Sequence, residues 1–118
     1  MLRAPLATAG SLRQFWIDVS WADDAATVAA HGRLDAVAAP ELSVRLAEII
    51  EVSRPRRLVI DLSDARHIDR AGALAVVGAS ARLPGGGAQL VIQSIPHAAL
   101  PFFAEDGLGP AAGESLTA

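Results

Sequence analysis

The sequence predicts a small α/β domain: a mixed β-sheet packed against helices, in the order β-β-α-β-α-β-α. Three observations lead there. The first third of the chain alternates polar and apolar residues, the middle carries a helical apolar period, and two uninterrupted apolar runs each follow a helical segment. With 118 residues, 52% of them hydrophobic, the chain is long enough for one core and too apolar for global disorder.

The elements follow in order. In "QFWIDVSW", Phe15, Ile17, Val19 and Trp21 share one face while Gln14, Asp18 and Ser20 share the other with Trp16, the pattern of a half-buried strand. "ADDA" is a turn and "ATVAAH" a weaker strand antiparallel to the first. In "APELSVRLAEIIEV" the period changes: Leu42, Leu46, Ile49 and Ile50 fall on one helical face, away from Glu41, Arg45 and Glu48, and Pro40 suits the first helical turn. "LVIDL" is a buried strand, joined to its predecessor by a parallel crossover. "SDARHID" reads as a turn into a second, small-residue helix, "RAGALAVVGASARL", which "PGGG" stops. "AQLVIQ" is another buried strand, and "PHAALPFFAED" a short third helix capped by Gly107. Residues 1–11 and 109–118 show no pattern and read as flexible tails around a domain spanning 12–108.

Composition narrows the function classes. The formal net charge of −3, without a basic run, argues against a nucleic-acid surface. No apolar stretch approaches the ~20 residues of a membrane helix. With no cysteine, disulfides and thiol chemistry are excluded, which suits a cytoplasmic protein. All basic residues are arginine, which together with abundant alanine points to a GC-rich bacterial genome.

Candidate chemistry is sparse. His31, His67 and His97 are dispersed and lack metal-ligand spacing, so neither a metal nor another cofactor is expected. Asp61, Asp64 and Asp69 gather near the end of the third strand, where they have the residue type of a general acid or base. As structural residues, Asp69 caps the second helix and Asp64 shapes a turn. There is no nucleophile motif, and the chain is not expected to be an enzyme. Gly32 permits a sharp exit from the second strand. Asp35 follows in the next loop, on the same side of the sheet as "HIDRAG" if the crossovers are right-handed. There it serves either nearby backbone amides or a partner.

The motifs "GRLD", "RRLVIDLSDARHID" followed by x-x-G, "GGGAQLVI" and the "GL" after the third helix occur in the order and spacing of a known family. The chain resembles a STAS domain, the fold of bacterial anti-sigma-factor antagonists, over roughly residues 12–108. The resemblance implies a cytoplasmic protein–protein interaction domain that binds an anti-sigma factor, itself a serine kinase of the ATPase type. In that family the residue after the aspartate is a serine, phosphorylation of which breaks the complex. The matching position here is Arg70, followed by Ala71 and Gly72, so the usual acceptor is absent and Ser63 is the nearest fallback. The implied partner surface comprises Asp35, Asp69, Arg70, Ala71 and Gly72. STAS domains also serve as partner subunits of membrane transporters and larger signalling assemblies, a second implied role; a small-ligand or enzymatic module is a remote third. No direct membrane insertion is implied.

Overall fold

The computed structural model describes residues 14–83, 87–104, 109–112 and 115–117. Strand β1 (Phe15–Ala22) and strand β2 (Ala25–Leu34) form an antiparallel hairpin. Helix α1 (Ala39–Ser53) leads to β3 (Arg57–Ile68), and helix α2 (Arg70–Gly78) with a 3-10 turn (Ala79–Arg82) leads to β4 (Gln89–Gln93). β2, β3 and β4 are mutually parallel neighbours, as two crossovers require. A 3-10 turn (His97–Ala99) and helix α3 (Leu100–Ala104) follow, then β5 (Gly109–Ala112) and β6 (Ser115–Thr117). The sheet order is β1-β2-β3-β4-β6-β5.

The mixed sheet packed against helices is therefore as the sequence predicts. One core holds it. Ala26, Val28 and Ala30 of β2 meet Leu42, Leu46 and Ile50 of α1, Ala73 and Val76 of α2, and Phe103 of α3. Among the described residues no polar or charged residue is buried. The opposite face of β2, formed by Ala25, Thr27, Ala29 and His31, is only half-buried. Val59 and Ile60 lie in the interior, at 9% and 0% exposure, as the unbroken apolar run requires.

Three expectations are corrected. "SDARH" is not a turn: β3 continues through it to Ile68. Its pairing with β2 carries two register shifts, between Ala29 and His31 and between Gly32 and Arg33. Each leaves an extra residue on β3, so exposed residues come in pairs, Ser63–Asp64 and Arg66–His67, between buried Leu62, Ala65 and Ile68. The second helix is shorter than its sequence pattern, since its last turn tightens to 3-10 geometry after Gly78. Finally, 109–118 is not an unstructured tail throughout, because β5 and β6 extend the sheet beyond β4. The other tail, residues 1–11, and the helix stop at Gly107 lie outside the described residues.

Candidate functional site

The predicted site residues meet at a corner where the end of β2 touches the start of α2. Asp69 has extended backbone geometry and is the N-cap of α2; its Oδ1 accepts from the Gly72 amide at 2.9 Å. This satisfies one of the amides that a helix start leaves without an internal partner. The Asp69 amide donates to the Leu34 carbonyl at 3.3 Å. Gly72 packs against the same carbonyl, and a Cβ there would collide with it and approach Leu34 Cγ to 2.8 Å. The x-x-Gly after Asp69 thus has a steric cause: α2 can seat on β2 only without a side chain at this position.

That seating brings the Asp35 loop, which begins just after Leu34, beside the start of α2. Asp35 Oδ1 accepts from the Val37 and Ala38 amides, each at 3.1 Å. Ala38, the N-cap of α1, makes no side-chain cap of its own. Asp35 supplies the missing acceptor from three residues upstream. Its Oδ2 lies 3.4 Å from Arg33 Nε. The Ala38 amide, with smaller contributions from the Val37 amide and Arg33, holds the Asp35 carboxyl below its ordinary pKa against the opposing effect of desolvation.

Arg70 is the first residue of α2 and is exposed. A cation there meets the positive end of the helix dipole, at a cost of about 0.3–1 kcal/mol, which the neighbouring Asp69 carboxylate offsets. Its guanidinium carbon lies 6.0 Å from the centroid of the Phe102 ring on α3, the outer limit of a cation–π contact. Arg70 therefore lies along the α2–α3 surface and stays exposed there. On the same helix face, one turn on, Leu74 is 49% exposed. Ala71 is half-buried beside them. Cap, glycine contact, cation and exposed leucine give a rigid surface with one positive group and an apolar neighbour. Residues 69–72 hold no hydroxyl, thiol or amine.

A model of the STAS family described as "Mlab, STAS domain" matches residues 17–110. The chain belongs to the STAS-domain family. Among solved structures, this STAS domain is similar to an anti-sigma factor antagonist from Mycobacterium paratuberculosis, at 25% identity and a TM-score of 0.59, over 64% of this chain and 63% of that one. The chain thus spans less than two thirds of that protein. It also shares its fold with the anti-sigma factor antagonist SpoIIAA in its unphosphorylated form, at 14% identity and a TM-score of 0.65, over 84% of this chain and 91% of that one. No curated protein matches the chain in sequence.

The STAS domain also carries a polar patch that sequence reasoning missed. On the half-exposed sheet face, His31 stacks on Trp16, with ring centroids 5.1 Å apart and planes 8° from parallel. His31 Nδ1 lies 2.8 Å from Asp64 Oδ2, and Nε2 lies 3.0 Å from Asp18 Oδ2. The second contact has ion-pair distance without hydrogen-bond alignment. Asp64 and Asp61 thus part from Asp69: Asp64 holds His31, and Asp61 Oδ1 accepts from the Ser63 amide at 3.0 Å within β3. Ser63 itself is exposed on the first outward pair of β3. Among the described residues no three histidine or acidic side chains converge as metal ligands, and no helix is long and apolar enough to cross a membrane.

Proposed function

We propose that this STAS domain is an interaction module of the anti-sigma-factor antagonist type, cytoplasmic, which binds an anti-sigma factor or a related ATPase-type serine kinase without being switched at the usual serine. The observation that carries the reading is the corner. Asp69 and Gly72 give α2 a fixed start beside the Asp35 loop, and the position that bears the family's serine is Arg70. A phosphate would bring about −1.5 to −2 charges to this helix start. Arginine brings the opposite sign, so it does not imitate the phosphorylated, released state. The likeness to the mycobacterial antagonist supports the same class of partner. The surface offers a cation beside an exposed leucine, which supports a binding role, and no reaction is proposed. Its guanidinium fork suits a carboxylate on the partner.

Affinity capture from cell lysate, with and without ATP, tests this directly. The expected result is an anti-sigma factor or serine kinase retained equally in both conditions, with no phosphate on residues 69–72 by mass spectrometry. Stoichiometric phosphate on Ser63, with release of the partner, would restore a switch that this reading removes. Capture of a transport ATPase alone would instead make the domain a transporter subunit, the second role that a STAS domain with a vacated acceptor fits.

A further inference from the structure

Among the described residues β1 ends the sheet, pairing with β2 alone. Edge strands ordinarily carry lysine, proline or a bulge that repels a second strand. β1 reads FWIDVSWA and pairs with β2 without a register shift, so it has none of these. Trp21 is 50% and Trp16 38% exposed, while Ile17 and Val19 are half-buried at the margin of the core. Trp16 faces the outer side, where it stacks on His31, whereas exposed Trp21 continues the core-side row of half-buried Ile17 and Val19 and leaves an apolar strip at this edge that another strand can cover.

The backbone of β1 is set for such a strand. The hairpin closes on Ala22 and Ala25 around two turn residues, and Asp23 takes the positive φ of 55° that a primed turn needs at its first position. The closing pair of such a hairpin is hydrogen-bonded, so the even-numbered residues of β1 aim their amides and carbonyls at β2. The Arg33 amide, donating to the Gln14 carbonyl at 2.6 Å, continues the same parity. Ile17, Val19 and Trp21 therefore aim their amides and carbonyls away from β2.

We propose that β1 pairs antiparallel with β1 of a second copy of this chain, with Val19 on the two-fold axis. Side chains choose this register. It sets Val19 against Val19, Ile17 against Trp21 twice, and Asp18 against Ser20, and it uses the outward backbone groups of Ile17, Val19 and Trp21 in both copies. The apolar pairs lie on the face that already packs on the core, so the two cores become continuous. Centring on Asp18 would set two carboxylates directly opposite each other, which is destabilising. Centring on Ser20 would keep only Val19 against Trp21 as apolar pairs and set half-buried Ile17 against the turn residue Asp23, whereas the Val19 register sets only Phe15, already buried in its own core, opposite that residue. The pairing uses no residue of the Asp35–Gly72 corner, so both copies keep that surface.

Sedimentation of the purified chain across a concentration series up to about 1 mM tests the pairing against chemistry as well as size. Wild type is expected to convert from monomer to dimer with concentration. Trp21→Glu, at an exposed position, and Ile17→Lys should each weaken the dimer at least tenfold while keeping the wild-type circular dichroism. Mixing the two variants should restore a heterodimer, because each lysine then faces a glutamate. Trp21→Glu alone keeps the test decisive if Ile17→Lys does not fold. A chain that stays monomeric throughout, including one that only pairs with a strand of another protein, overturns the proposal. So does a dimer indifferent to Trp21→Glu, or a mixture of folded variants that fails to recover it.

Discussion

The corner between β2 and α2 and the Trp16–His31 patch on the outer sheet face both gather charged residues, but they are held differently. The corner is held by backbone. The Leu34 carbonyl takes the Asp69 amide and lies against the Cα of Gly72, and Asp69 and Asp35 each bind amides of the chain that follows. The patch is held by side chains, a stacked ring and carboxylates that are 52% and 67% exposed. A backbone contact tolerates almost no change in size, whereas contacts between exposed side chains are screened and adjustable. The interaction surface proposed above falls at the rigid corner, where a partner would meet a preformed surface.

Two glycines of α2 give the largest test of that difference. Gly72→Ala places a methyl on the Leu34 carbonyl and should destabilise the fold by about 3 kcal/mol, the upper range for overpacking. At Gly78 an added Cβ meets nothing and the backbone is ordinary right-handed helix, so Gly78→Ala should stabilise by about 0.5–1 kcal/mol. Urea denaturation of both variants checks the pair. A neutral Gly72→Ala would mean that α2 can shift on β2 and that the corner is not rigid.

In the patch, His31→Gln removes the ring stack and both carboxylate contacts, yet it should cost only about 1 kcal/mol or less, because the carboxylates are largely solvated. The same denaturation series reads it. A loss equal to that of Gly72→Ala would erase the distinction between the two regions.

The smallest effect concerns acid. The folded Asp35 carboxyl sits below its unfolded value of about 3.9, so its contribution to stability is complete above that pH and fades as the pH falls through the lower folded value. Asp35→Asn should therefore remove part of the stability loss between wild type at neutral pH and wild type below pH of about 4. A carboxyl carbon titration by NMR, finding Asp35 at or above the ordinary value, would contradict the cap geometry.

The corner was legible in the sequence because its contacts demand particular residue types. An aspartate followed by x-x-Gly states both a cap and a close approach. Gly32, by contrast, is not the exit from the second strand that the sequence suggests: β2 runs on to Leu34, and the φ of 92° at Gly32 accompanies the register shift between Gly32 and Arg33. The patch was not legible. His31 meets Asp64 only because β3 gains an extra residue against β2, and no local pattern records a register shift between strands 33 positions apart. The length of β3 was hidden for a related reason: "SDARH" has turn composition, and pairing with β2 overrides it. β5 and β6 are too short, at four and three residues, for alternation to appear. Arg70 was found by position, but its placement over Phe102 depends on how α3 packs against α2.

The most direct measurement of the central claim is a titration of the captured partner against wild type and Arg70→Glu, without ATP, at low and high salt. If Arg70 lies at the centre of the partner surface, charge reversal should weaken binding by more than about 1.4 kcal/mol, a factor of ten, with little salt dependence. Equal affinities for the two proteins would contradict the account, leaving Arg70 as a filler of the vacated serine position and placing the partner elsewhere on the domain.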